Sequence, residues 1–154
     1  MALTAVLFAV PVLAGPALEL EVGGGAFDVR APQPTFTGRI GVDLLGFVTP
    51  SFRVTSLTPL SGATSAWLML GEVRLHTPGP VQLTGGVAVG FATADVTHVA
   101  PLDTSVTRLA PWLQADLGLR VVLGRFWLGA AVTSAPFQRQ WMGTLHLGVS
   151  FFGS

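Results

Sequence analysis

From Leu18 to Phe152 the apolar residues fall on every second position in eight successive segments, and this period of two constrains the fold more than any other feature. The first segment sets Leu18, Leu20 and Val22 against Glu19 and Glu21. The second sets Phe36, Ile40, Val42 and Leu44 against Thr37, Arg39 and Asp43. In the third, Phe52 and Val54 oppose Arg53 and Thr55. In the fourth, Trp67, Met69, Val73 and Leu75 oppose Glu72 and Arg74, while Leu68 and Leu70 fill space on the polar side. The fifth is the cleanest, with Val81, Leu83, Val87, Val89 and Phe91 on one face and Gln82, Thr84, Gly86, Ala88 and Gly90 on the other. The sixth places Leu113, Leu117, Leu119 and Val121 opposite Trp112, Gln114, Asp116 and Arg120. The seventh places Phe126, Leu128, Ala130 and Val132 opposite Trp127, Gly129, Ala131 and Thr133. The eighth places Leu145, Leu147, Val149 and Phe151 opposite Thr144, His146, Gly148 and Ser150. Each segment is a strand with one greasy and one small or polar face.

Composition narrows what such strands can build. Half of the 154 residues are hydrophobic and 10% are charged, with zero formal net charge. The mean hydropathy of +0.63 suits a lipid environment. Yet after the N-terminus no clean apolar run reaches the roughly 18 to 20 residues of a membrane helix. A hydrophobic chain without a spanning helix leaves the closed β-barrel, because in lipid every backbone polar group must be satisfied internally. Eight is an even number of strands, and each can supply the ~9 to 11 residues that cross a bilayer when tilted. Connections at 76–80 and 123–125 are tight and the link through 45–50 is modest; those at 56–65, 94–107 and 134–140 read as longer. The expectation is an all-β, eight-stranded, antiparallel up-and-down transmembrane β-barrel, with the N-terminus on the side of the tight turns.

A soluble barrel of the same strand number would point its greasy faces inward and carry a charged exterior. The polar faces here are dominated by Gly, Ala, Thr, Ser and Gln, which make a poor soluble surface but a workable narrow interior, with room for Trp112 and Trp127. The greasy faces therefore point to lipid. The strand charges then meet inside: Glu19, Glu21, Asp43, Glu72 and Asp116 against Arg39, Arg53, Arg74 and Arg120. Buried charges persist only when paired and hydrogen-bonded, so the lumen is expected to hold a near-balanced network that also fills it. The spacing brings Arg53 toward Glu72, with Asp43 also within reach.

Residues 2–14 form an apolar segment of signal-peptide length, although no Lys or Arg precedes it. Residues 1–17 read as a signal peptide cleaved after Ala14 or Ala17, and 18–154 as the barrel. There is no cysteine, so no disulfide or thiolate chemistry is available. The neutral balance and lack of a basic cluster argue against nucleic acid. Of the three histidines, His76 reads as part of a tight turn, His98 as part of the longest loop, and His146 as inward-facing. They share no metal-ligand spacing. His146 and Ser150 lie ~13 Å apart along one strand, too far for a nucleophile–base pair. The glycines at 23–25 lack a phosphate-loop context and read as a strand bend at a barrel corner. No catalytic, cofactor-binding or metal residue is expected.

These features together resemble the small outer-membrane β-barrel proteins of the OmpA/OmpX type, over about Leu18 to Phe152. The most specific part is the last strand, where Leu145, Leu147, Val149 and Phe151 are similar to the terminal signature read by the barrel-assembly machinery. Here Phe152, Gly153 and Ser154 follow the aromatic residue instead of the chain ending on it. The resemblance implies an exported protein of the Gram-negative outer membrane, with lipid and the assembly machinery as partners, an unknown extracellular partner and no cofactor. With Tyr absent, Phe36, Phe52, Trp67, Phe91, Phe126 and Trp141 would supply the interfacial girdle. The function expected is a non-enzymatic structural or surface-interaction barrel; a lipid-modifying enzyme and a small pore or solute-binding barrel are the alternatives.

Overall fold

The alternating segments form eight strands: β1 (Ala17–Phe27), β2 (Gln33–Asp43), β3 (Val48–Leu57), β4 (Ala66–His76), β5 (Val81–Val96), β6 (Val106–Leu123), β7 (Phe126–Ala135) and β8 (Gln140–Phe151). The computed structural model describes residues 16–27, 33–57, 66–96, 106–137 and 139–151. Among the described residues there is no helix. Each strand pairs antiparallel with its sequence neighbour, and β1 pairs with β8 from Leu18↔Phe151 to Phe27↔Met142, which closes the barrel. Closure removes both sheet edges and pairs the backbone ladder all the way round. The shortest strands have 10 residues. At ~3.3 Å per residue and a tilt near 40°, this spans about 25 Å, the height of the apolar band of such barrels.

The start of β1, the end of β8 and three tight turns share one end of the barrel, called here the terminal end. The β2–β3 turn uses left-handed backbone at Leu45 and Gly46 (φ 61° and 74°), and the β6–β7 turn uses it at Gly124 (φ 65°). Glycine adopts that geometry without the Cβ penalty, so the turn at Gly124 needs only two residues.

The structure corrects several sequence expectations. The connection at 134–140 is short: β7 runs to Ala135, β8 starts at Gln140, and Arg139 supplies a left-handed residue (φ 54°). Ser134 and Ala135 belong to the strand because they pair with Trp141 and Gln140. β5 and β6 pair as far as Val96↔Val106, which shortens the 94–107 connection; residues 97–105, including His98, lie outside the described residues. His76 is no turn residue. The parity of Glu72 and Arg74 carries on to it, and it ends β4 buried and inward-facing. The glycines at 23–25 lie within β1, paired with both β2 and β8. A Cβ on Gly23 would lie 2.7 Å from His146 Nδ1, so that glycine permits close approach across the β1–β8 seam. The expected signal peptide falls almost wholly outside the described residues; Ala17 opens β1 opposite Asp43.

Polarity is inverted relative to a soluble barrel. Val22, Phe36, Val73, Leu117, Leu128 and Leu145 are exposed on the outside, while Glu19, Glu21, Arg39, Arg53, Glu72, Arg74 and Arg120 are buried inside. Phe36, Trp67, Phe91 and Trp141 stand exposed toward the far end, and Phe126 and Phe47 toward the terminal end. The inner face divides into two zones. Leu68, Leu70 and Ala88 are fully buried with Ala92 and Trp112 against them, and Met142 packs with Ala66 and Trp112. This apolar plug occupies the far half, above the charges. The gap where Trp112, Gln114, Thr133 and Met142 meet is too small for a water molecule.

The faces and the depth dependence of lipid exposure generate a prediction. Leu117→Arg places a charge in mid-depth hydrocarbon and should cost roughly 2–4 kcal/mol, whereas Leu123→Arg, beside the β6–β7 turn, should cost about 0–1 kcal/mol. Urea unfolding from lipid vesicles measures the difference; equal midpoints for the two variants would contradict the assigned faces.

Candidate functional site

The inward faces of β1–β4 and β6 deliver eight charged groups into one connected chain. Arg53 on β3 lies 2.9 Å from Glu72 on β4 and makes a bidentate contact with Asp116 on β6, across the lumen. Thr133 on β7 donates its hydroxyl to the same Asp116 carboxylate. Glu72 also holds Arg74 at 3.1 Å and accepts from the Ser51 hydroxyl at 3.3 Å. Arg74 passes on to Glu21 at 3.0 Å, and Glu21 to Arg39 at 2.5 Å. Arg39 reaches Glu19 at 3.4 Å, Glu19 pairs with Arg120 at 3.0 Å, and Arg120 Nε donates to Gln82 at 2.5 Å. Four guanidiniums and four carboxylates thus neutralise one another.

Asp43 stands apart from this chain. Sequence spacing put it within reach of Arg53, but Arg53 spends its second face on Asp116, and Asp43 instead lies 3.3 Å from His76 Nε2. The cross-lumen partner was invisible to spacing along one hairpin, because it depends on how the barrel closes.

Trp127 organises the terminal half of the network. The guanidinium carbons of Arg39 and Arg120 lie 5.8 Å and 5.2 Å from its ring centroid, so the indole is flanked by two cations. Arg39 Nε and Nη1 have no hydrogen-bond partner, and the ring face is what stabilises that side of the cation. The indole fits because Gly148 has no side chain; a Cβ there would overlap the Trp127 ring. The alternation had flagged Trp127 as an inward space-filler, and its role as a cation platform came only with the geometry.

His146 joins the network through Glu21, with Nδ1 2.9 Å from Oε1, and its Nε2 lies 2.7 Å from the Thr144 hydroxyl. Ser150 is not its partner. The resulting hydroxyl–imidazole–carboxylate string has the composition of a nucleophilic relay, but Glu21 is already held by two arginines. Thr144 is buried and donates to the Ala131 carbonyl at 3.4 Å, so its hydroxyl is oriented into the wall. A nucleophile needs room for a substrate on its open side. Both ends of this string are held by other groups. On the outer face of the same strand Leu145 and Leu147 are exposed, with Val149 and Phe151 half-buried at the seam with β1.

Pairing sets a stability prediction. Arg53→Ala strands Asp116 and half of Glu72, and should destabilise the barrel by roughly 3–5 kcal/mol. The double variant Arg53→Leu with Asp116→Leu should lose less, because Glu72 keeps Arg74 and no lone charge remains. Equilibrium unfolding in urea tests this; a double variant weaker than the single one would refute the reading.

No protein-family model matches the sequence, and no curated protein matches it. Solved structures do. The chain is similar to the N-terminal β-barrel domain of OprF from Pseudomonas aeruginosa, with 19% identity over 90% of this chain and 99% of that one and a TM-score of 0.65. It is similar to neisserial surface protein A, NspA, at 14% identity over 90% and 97% of the two chains, TM-score 0.62. It is also similar to Ail, the attachment invasion locus protein of Yersinia pestis, at 12% identity over 90% and 99%, TM-score 0.57. All three are eight-stranded outer-membrane barrels. Identities this low speak to architecture alone: the fold of this chain is that of the small eight-stranded outer-membrane barrels.

Proposed function

We propose that this chain is an exported, non-enzymatic integral protein of the bacterial outer membrane, with a structural or surface-interaction role. The observation that carries the reading is the inverted polarity: a continuous apolar exterior around a lumen filled by paired charges and an apolar plug. That exterior fits the hydrocarbon of a bilayer and no aqueous compartment. The terminal end, with its tight turns, belongs in the periplasm. The opposite end of the barrel then faces outward, where an extracellular partner would meet it. The β8 residues Leu145, Leu147, Val149 and Phe151 are the segment offered to the barrel-assembly machinery, by strand addition at the edge that β1 later covers.

A pore is disfavoured on packing grounds, since eight strands enclose a space that side chains can fill, and here Leu68, Leu70, Trp112 and Met142 fill the far half. The full-length precursor expressed in a Gram-negative host should fractionate with the outer membrane and run faster on a gel unboiled than boiled. Reconstituted in planar bilayers it should give no conductance steps. Recovery as a soluble protein without a mobility shift would sink the membrane reading, and steady single-channel steps would sink the plugged lumen.

A further inference from the structure

One pair, Asp43 and His76, has no place in the arginine–carboxylate chain. Among the described inward-facing residues five carboxylates meet four guanidiniums, and the surplus carboxylate is Asp43, whose partner is a histidine. At the terminal mouth the donor atoms of Glu19, Asp43 and His76 lie within 4.8 Å of one another, brought together from β1, β2 and β4. The His76 side chain is 2% exposed, and its Nδ1 has no hydrogen-bond partner. A neutral ring that donates Nε2–H to Asp43 leaves Nδ1 as a bare lone pair. The other tautomer leaves a buried N–H unmet and turns a lone pair toward a carboxylate. Either way a buried polar atom is left unsatisfied, at a cost. Thr49, on the strand between those of Asp43 and His76, is also fully buried with its hydroxyl unpartnered.

We propose that Glu19, Asp43 and His76 form a divalent metal site of the Zn2+ class at the terminal mouth of the lumen. One imidazole and two carboxylates are a donor set that suits such an ion, with water completing the coordination shell. The ion would offset the surplus negative charge of Asp43. Glu19 can take part through Oε2 without stranding an arginine: that oxygen's contact with Arg39 is the long one, at 3.4 Å, Arg39 has Glu21 at 2.5 Å, and Oε1 keeps Arg120 at 3.0 Å. The Asp43 side chain is 17% exposed, which gives the ion a path from the aqueous side. Sequence spacing hides the site, because the three donors come from three strands.

The test uses the full chain refolded in detergent, stripped with a chelator and titrated with Zn2+ by calorimetry, with Co2+ absorption as a spectroscopic readout. The folded protein should bind one Zn2+ per barrel, gain thermal stability from it, and show a ligand-field band with Co2+. Asp43→Asn and His76→Gln should each weaken Zn2+ binding by about tenfold or more, while His98→Gln and His146→Gln leave it unchanged. Heat-modifiable mobility reports whether each variant has folded. Should His76→Gln fail to fold, Asp43→Asn and the Co2+ band decide the matter, since Asp43 sits at the rim. Absence of binding to the folded protein would overturn the site, as would undiminished binding to folded Asp43→Asn or its loss in His98→Gln.

Discussion

Charge neutralisation in a narrow, buried space is the constraint on which the rest of this barrel depends. Among the described residues nine charged side chains face the lumen of an eight-stranded sheet; eight of them lie deep inside, and each would be prohibitive there alone. They are tolerable because they run as one alternating chain, from Asp116 through Arg53, Glu72, Arg74, Glu21, Arg39 and Glu19 to Arg120. The chain touches five strands, including pairs that are far apart in sequence. Its members therefore fix the barrel's cross-section as well as its charge. A slip of one residue in any strand would turn its charges into lipid and its leucines into the lumen.

The small residues follow from the same constraint. Four guanidiniums and two indoles need volume that eight strands scarcely provide, so the wall beside them is stripped of side chains. Gly148 yields to Trp127, Gly129 to Arg120, and Gly86 to Glu72. Glycine weakens a strand by entropy and by absent packing. Here it is tolerated because the ladder is closed and the large inner side chain supplies the packing that the glycine lacks. The high glycine content and the few large polar residues are two sides of one packing solution.

Most of this architecture was legible in the sequence because period-two parity is a local property. It assigned Leu117 and Leu145 outward, Arg53 and Glu72 inward, and even the exceptions Leu68 and Leu70 to the lumen. Parity also holds at His76, where proximity to Thr77, Pro78 and Gly79 had argued for a turn; the turn begins one residue later. What parity cannot supply is the partner across the lumen. Arg53 meets Asp116 at a separation of 63 residues and Glu19 meets Arg120 at 101, and both pairings depend on the stagger accumulated around the closed sheet. The short β7–β8 connection was hidden for a related reason. Ser134 and Ala135 carry loop-like composition, and only their pairing with β8 makes them strand.

The two zones of the lumen have different physical consequences. The apolar plug of Leu68, Leu70, Trp112 and Met142 is held by packing, which tolerates volume-conserving exchange and carries no electrostatic demand. The charged zone below it tolerates no such exchange, because each group is another's counter-ion. With the plug excluding water from one side, the effective dielectric around the arginines falls and each ion pair strengthens. The apolar zone thus reinforces the charged one, and the charged one holds in register the strands on which the plug is built. A barrel arranged in this way gains its rigidity from the inside.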